Sequence, residues 1–250
     1  SNGDNVYEFN IVVTDDNANS ESSSEPISIS VVNAQEAPVF TSTDTISVFE
    51  NATLVTTVVA ADDDSADTIT YYFSESGADS DKFNIDSTTG VLTFNEAKDY
   101  DMPSDSNYDN VFEVIVIAED SSETNLSATQ TILVTLLNLN EPPVISNQQT
   151  FGIAAENQSS IVTVGAYDQD SSDSITYSLS GTDAALLSIN SSTGVVTFNT
   201  QPNFEAAIDN GADGIYEFTV TATDSGDGNL SDSISFEYSI ANVNEAPVIS

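Results

Sequence analysis

The 250-residue chain has no cysteine, no histidine, no tryptophan and no arginine, and its only cationic side chains are Lys82 and Lys98. Each absence closes a class of function. Nucleic-acid binding needs Lys and Arg to displace counterions from phosphate, so it is excluded. A basic helix lying on a membrane surface is excluded for the same reason. Without His or Cys there is no Ser-His-Asp triad, no Cys-His pair, no ordinary structural zinc site, no haem ligation through those side chains and no iron–sulfur cluster. No disulfide can form, so cysteine usage does not report the compartment. No apolar run reaches the roughly 18 residues of a membrane-spanning helix. The N-terminal residues also lack a signal-peptide pattern.

What the chain has in excess is acid. Asp and Glu number 41, for a formal net charge of −39. High charge with low hydrophobicity is the signature of disorder. Here, however, 39% of residues are hydrophobic, and they fall in short alternating runs that argue for folded strands. The surplus carboxylates then need either plain solvation or a hard, oxygen-seeking cation, Ca2+ above all. The length suits two domains with room for a small further piece. The opening Ser1-Asn2-Gly3 and the abrupt end at Ser250 give the expectation of a segment cut from a longer chain.

Three phrases recur. The first is Asn33-Ala34-Gln35-Glu36-Ala37-Pro38-Val39, repeated as Asn138-Leu139-Asn140-Glu141-Pro142-Pro143-Val144 and as Asn242-Val243-Asn244-Glu245-Ala246-Pro247-Val248. Glu36, Glu141 and Glu245 thus stand 105 and 104 residues apart. The second runs from Phe83 to Phe94 through Gly90, and returns from Leu187 to Phe198 through Gly194. The third pairs Ala60-Ala61-Asp62-Asp63-Asp64-Ser65 with Ala166-Tyr167-Asp168-Gln169-Asp170-Ser171. A shared period this long means tandem domains, each with its own core, rather than a helical solenoid. The expected boundaries are 1–36 as the end of a truncated repeat, 37–140 and 141–245 as two repeats, and 246–250 as the start of another.

Within a repeat the hydrophobic period is two. The pattern predicts strands at about 45–49, 54–61, 67–73, 82–85, 91–94, 111–118 and 128–137 of the first repeat. It also predicts two strands, Tyr7–Thr14 and Pro26–Val32, in the opening piece. Phe112, Val114, Val116 and Ala118 should face one way, with Ile132, Val134 and Leu136 beside them. The fold class is therefore all-β: tandem seven-stranded Greek-key sandwiches in a linear string. Gly90 and Gly194 should close turns at positive φ.

The acids recur at fixed places. Asp62 and Asp64, like Asp168 and Asp170, follow the second strand, where alternating carboxylates in a loop can share one cation. Glu50-Asn51 and Glu156-Asn157 close the first strand. Asp99-Tyr100-Asp101 precedes the penultimate strand, with Asn203-Phe204-Glu205 at the matching place. Asp120 and Asp224 follow that strand. In a sandwich the Glu50 and Asp101 groups lie at the bottom of one repeat, and the Asp168, Asp170 and Asp224 groups at the top of the next. The Asn-x-Asn-Glu linker runs between them. Each motif alone reads as a solvated turn. Together they crowd charge, since two carboxylates about 4 Å apart repel by roughly 4 kcal/mol at an effective dielectric of 20. An EF-hand loop does not fit, because the Asp62–Asp67 stretch lacks the glycine required at its sixth position. The nonapeptide calcium repeat is absent as well.

On these residues the chain resembles the cadherin repeats in their bacterial form. The resemblance rests on Glu50 and Glu156, Ala-x-Asp-x-Asp at Asp62/Asp64 and Asp168/Asp170, the acidic triplet Asp99–Asp101, Ala-x-Asp at Asp120 and Asp224, and the Asn-x-Asn-Glu-x-Pro linker. It implies two or three Ca2+ ions at each junction, which stiffen a string of extracellular domains used in cell adhesion or as surface stalks. The complete junction would use Glu50, Asp99, Asp101, Asn138, Asn140, Glu141, Asp168, Asp170 and Asp224. A partial site would use Glu36, Asp62, Asp64 and Asp120. The family's linker usually reads Asp-x-Asn-Asp-Asn-x-Pro, so Asn138 and Glu141 depart from it, as does Gln35. The family's adhesive Trp is missing too.

The leading functional expectation is a calcium-rigidified repeat segment of a large bacterial surface protein, extracellular on the cell surface or secreted, and not an enzyme. Its partners would be neighbouring repeats of the same chain, other copies of itself, or surface carbohydrate or protein. The alternative is a structural subunit of an extracellular filament or sheath joined by strand addition, because two opening strands cannot close a sandwich. Two further readings carry less. A glycosidase with paired carboxylates ill suits acids that recur in every repeat. Carbohydrate binding through Tyr71, Tyr72, Tyr100 and Tyr108 competes with the ordinary preference of Tyr for strands.

Overall fold

The computed structural model describes residues 5–16, 18–64, 67–121 and 126–246. Ser65 of the third phrase and residues 1–4 and 247–250 of the outer pieces lie outside the described residues. The chain forms two compact units. One comprises Ser1–Val48, Ala52–Ala97 and Asp105–Thr135; the other comprises Phe49–Asn51, Lys98–Ser104 and Leu136–Ser250.

The first unit opens with a hairpin of β1 (Val6–Thr14) and β2 (Ser22–Ser30), paired antiparallel from Val6↔Ser30 to Thr14↔Ser22. Alternation puts Tyr7, Phe9, Ile11 and Val13 on one face, and all four are about half exposed or more. The hairpin is followed by β3 (Val39–Phe40), β4 (Thr45–Phe49), β5 (Leu54–Thr57), β6 (Ala60–Ala61), β7 (Thr70–Phe73), β8 (Phe83–Ile85), β9 (Val91–Phe94), β10 (Val111–Glu119) and β11 (Ser127–Leu137). They form a four-stranded sheet in the order β4-β11-β10-β7, a three-stranded sheet β5-β9-β8, and a short pair β3-β6. The period-two pattern explains the layering. Phe112, Val114, Val116, Ala118, Ile132 and Val134 are fully buried, while their neighbours in sequence are not. Phe83, Phe94 and Phe112 stack and meet edge-on at ring separations of 4.7, 5.2 and 6.0 Å. Such aromatic geometry adds to plain area burial.

Four details differ from the strand expectations, each for a local reason. The expected 54–61 strand breaks into β5 and β6, because Val58 N–H turns to the Gly90 carbonyl and the Val59 carbonyl accepts from Thr41 and Ser42. The expected 67–73 strand begins only at Thr70, since Asp67 N–H closes a turn on the Asp64 carbonyl. A 3-10 turn, Ser80–Lys82, precedes β8. The two-residue pair β3-β6 escapes a pattern search that needs longer runs. With β3/β4 and β5/β6 each counted as one interrupted strand, the sandwich has seven. Gly90 and Gly194 do adopt positive φ, +69° and +67°, and a Cβ there would run into the carbonyls of Val58 and Val164.

The second unit repeats the plan with β12 (Val144–Ile145), β13 (Phe151–Ala155), β14 (Ser160–Thr163), β15 (Ala166–Tyr167), β16 (Thr176–Ser180), β17 (Leu187–Ile189), β18 (Val195–Phe198), β19 (Ile215–Thr223) and β20 (Ser231–Ala241). The sheets are β13-β20-β19-β16, β14-β18-β17 and β12-β15, and β13 runs parallel to β20. Tyr216, Phe218, Val220, Ala222, Phe236 and Val196 fill its core. One buried polar contact recurs in both repeats. Tyr71 accepts Ala60 N–H at 2.9 Å, and Tyr177 accepts Ala166 N–H at 3.0 Å. Among the described residues no helix is long and apolar enough to cross a membrane.

Candidate metal centre

The short segments Phe49–Asn51 and Lys98–Ser104 belong to the second unit together with the linker after β11. Their acids therefore meet those of the second repeat inside one compact body. Glu50 is buried and anchored by backbone donors: Oε1 accepts Leu139 N–H and Oε2 accepts Tyr100 N–H, both at 2.8 Å. Asn51 adopts φ 64°, which turns the chain sharply after Glu50. Ligand-capable oxygens of Glu50, Asp101 and Glu141 lie within 4.8 Å of one another.

The surrounding loops present further oxygens. Asp168 Oδ1 accepts Asp170 N–H at 3.0 Å, fixing the Asp-x-Asp loop. Asp170 is buried; its Oδ1 accepts the Asn138 side-chain amide at 2.5 Å and its Oδ2 accepts Glu141 N–H at 2.9 Å. Asp99 Oδ1 accepts the N–H groups of Asp101 and Met102, and its Oδ2 accepts the Gln169 amide at 2.7 Å. Asp224 Oδ1 accepts Gly226 and Leu230 N–H, and its Oδ2 accepts the Asn140 amide at 3.2 Å. Asn138 and Asn140 thus act as donors that tie the linker to the acidic loops. Gly226 makes room for Asn140, since a Cβ there would collide with its Oδ1.

Three carboxylate oxygens in this group, Asp101 Oδ2, Glu141 Oε2 and Asp168 Oδ2, are buried and have no hydrogen-bond partner. Their electrostatics follow from crowding. Burial, then repulsion from Glu50, Asp170, Asp101 and Asp99, raises Glu141 from 4.5 to about 7. Burial, then Asp170 and Glu50, raises Asp101. Asp168 is raised by burial and by Asp170, Asp224 and Asp173. A buried, unpartnered carboxylate oxygen costs several times a made hydrogen bond. An all-oxygen donor set with this much negative charge fits a hard divalent cation, Ca2+, and offers nothing to a thiolate- or imidazole-seeking metal.

The partial junction in the first unit shows the same local wiring. Asp62 Oδ1 accepts Asp64 N–H at 2.8 Å, and Asp62 Oδ2 is buried without a partner. Asp64 accepts the Asn33 side-chain amide and, at 3.1 Å, Glu36 N–H. The Glu36 backbone bond is the main cause of its lowered pKa. The close acidic group here is Asp62, Asp64 and Asp67. Glu36 enters through its backbone, and Asp120 Oδ1 accepts Leu126 N–H at 3.0 Å. A third group brings together Glu156, just after β13, Glu205, ahead of β19, and Glu245, after β20. Glu156 repeats Glu50, taking Val243 N–H at 2.7 Å and Phe204 N–H at 2.9 Å.

Sequence reasoning missed Asp67 and Asp173. The signal was present, because Asp-x-Asp-Ser-x-Asp stands at both 62–67 and 168–173. It also missed a second set of buried acids far from the metal motifs. Asp79 accepts Ser106 and Glu113 N–H at 2.7 and 2.9 Å; Asp183 accepts Asn210 and Glu217 N–H at 2.7 and 2.8 Å. Asp105 accepts Asp109 and Asn110 N–H, and Asp209 accepts Asp213 and Gly214 N–H. These four hold the loop before the penultimate strand of each repeat. Their recurrence at a spacing of 104 was the available clue.

Two β-sandwich repeats, the second carrying the carboxylates that gather at the linker, define a tandem repeat protein. Residues 44–137 match the cadherin domain and residues 140–243 the bacterial Ig domain. The chain is 27% identical over 217 residues to human Protocadherin Fat 1, covering 82% of this chain and 4% of that protein. It is 32% identical over 217 residues to human Cadherin-23, covering 81% and 6%. Its fold resembles the crystal structure of the Protocadherin GammaB4 extracellular domain, with a TM-score of 0.62 and 25% identity over 96% of this chain and 38% of that one. The chain thus spans only a few per cent of the length of these curated relatives. It is built of β-sandwich repeats of cadherin-like fold, one matching the cadherin domain and the next the bacterial Ig domain.

Proposed function

We propose that this chain is a calcium-rigidified segment of a bacterial surface protein, serving as an adhesive stalk or spacer. The observation that carries this reading is the orphaned buried oxygens of Asp101 and Glu141 beside Glu50, together with that of Asp168. Ca2+ would be held by Glu50, Asp99, Asp101 and Glu141 on one side and by Asp168, Asp170 and Asp224 on the other, with Asn138 and Asn140 positioning the linker. Bound Ca2+ supplies charge neutralisation and multidentate oxygen coordination. The protein's own part is to pre-place the acids through backbone N–H bonds, so that little ordering is left to be done on binding. Glu36, Asp62, Asp64 and Asp120, with Asp67, would form the downstream half of a like site. The proposed repeats are 37–140 and 141–245, and their partners are neighbouring repeats, other copies or surface ligands. Thermal melting in Ca2+ and in EGTA, with end-to-end length by small-angle scattering, tests the proposal. An unchanged melting curve and length would reject it.

A second reading, a subunit of an extracellular filament, is supported by the β1–β2 hairpin, whose Tyr7, Phe9, Ile11 and Val13 face is exposed. Strand addition by another molecule would cover it. Electron microscopy showing only monodisperse rods would reject this reading.

A further inference from the structure

The loop from Asp209 to Gly214 carries a reactive dipeptide inside a tight clasp. Asp183 and Asp209 are 2% and 5% exposed. Asp183 holds Asn210 N–H at 2.7 Å and Glu217 N–H at 2.8 Å, while Asp209 holds Asp213 N–H and Gly214 N–H at 3.0 Å each. Between these anchors Asn210 and Gly211 are exposed. We propose that Asn210 is a self-modification site, converting without an enzyme to aspartate and isoaspartate through a succinimide, and that the isoaspartate product releases the clasp.

The chemistry needs the backbone nitrogen after an asparagine to reach that asparagine's Cγ. Glycine presents no Cβ to obstruct this approach and leaves the backbone free to adopt it. Among the described residues no hydrogen bond engages Gly211 N–H. The neighbouring Asp213-Gly214 step differs, because Gly214 N–H is tied to Asp209. The first repeat supplies internal controls. There Asn107 precedes Tyr108 and Asn110 precedes Val111, and Val111 N–H is held by Asp109 at 2.9 Å. In the proposed step the Gly211 nitrogen bonds to Asn210 Cγ as the Cγ–Nδ2 bond breaks, and ammonia leaves with the proton that Gly211 gives up. Water then opens the imide at either carbonyl, which gives aspartate or isoaspartate. No oxidant or reductant is required. Isoaspartate routes the main chain through the former side chain and lengthens the backbone by one methylene between Asp209 and Asp213. The paired bonds from Asp209 to residues 213 and 214 were closed around the shorter path.

The test is to age the full chain at mildly alkaline pH and follow it by peptide mapping with mass spectrometry and by amide hydrogen exchange. The expected result is loss of the Asn210 amide, with two product peptides, while Asn107 and Asn110 stay intact. Exchange at Asp213, Gly214 and Glu217 should accelerate in step with the isoaspartate fraction. An Asn210→Gln variant keeps the N–H to Asp183 and should show neither change. If Asn210 stays intact while the denatured chain converts, the site assignment is overturned. If it converts with no change in exchange, the release of the clasp is overturned.

Discussion

Two sets of acids with buried oxygens look alike in the sequence and behave oppositely in the fold. The mid-repeat set, Asp79, Asp105, Asp183 and Asp209, spends its oxygens on backbone N–H groups. Those bonds hold Asp105 and Asp209 below the ordinary carboxylate value even though burial works the other way. The linker set, Asp101, Glu141 and Asp168, keeps oxygens buried against other acids, and its pKa values rise. A carboxylate ringed by N–H groups is a structural staple that needs nothing from solution. A carboxylate ringed by carboxylates is disfavoured in its charged form and stands to gain from a cation. Burial alone does not separate structural from ligand-binding acid; the partner does.

Replacing one linker carboxylate oxygen should separate the two sets most strongly. Asp101→Asn should abolish most of the Ca2+-induced stabilisation, which reaches about 4 kcal/mol for a ligand at a thousand times its Kd. In EGTA the same variant should melt higher than the parent, because one repelling charge is gone. Chemical denaturation with and without Ca2+ reads both signs. Asp79→Ala should do the reverse. It strands the Ser106 and Glu113 N–H groups and should cost about 3 kcal/mol, equally in Ca2+ and in EGTA. A Ca2+-dependent loss would erase the distinction between the two sets.

The pH response separates them next. Asp105 and Asp209 have depressed folded pKa values, so their contribution is present above the ordinary value of 3.8 and is lost as pH falls through the folded values. Glu141 has a raised value, so in EGTA its contribution favours the fold below 4.5 and is lost as pH rises through about 7. Metal-free stability should therefore peak on the acid side of neutrality. Ca2+ should help most at and above pH 7, where its ligands are ionised. Urea denaturation midpoints at a series of pH values test this. The smallest effect is expected from Gly226→Ala. Its Cβ would push on Asn140 and Asp173, costing about 1–2 kcal/mol as an overpacked site and weakening Ca2+ binding without removing an acid.

Much of this was legible in the sequence because tandem repetition shows each feature twice. The Glu50 and Asp62 motifs, the linker and the alternation of Phe112 to Ala118 all recur at spacings of 104 to 106 residues. What escaped lacked a local signature. The break at Val58 comes from its bond to Gly90, more than thirty residues away. Asp79 and Asp105 sit among so many other acids that only the geometry of their N–H partners tells them apart. The side-chain nitrogens of Asn138 and Asn140 reach Asp170 and Asp224, pairings that join residues far apart in the sequence.

Completion of the linker acids by calcium is open to direct measurement. Isothermal titration of Ca2+ into the EDTA-stripped chain at pH 7.5, in parallel with Glu141→Gln, tests it most directly. Saturable binding that releases protons from Glu141, raised to about 7 in the metal-free chain, and that weakens sharply in the variant is expected. Absence of saturable heat in the parent, or equal binding by the variant, would contradict it.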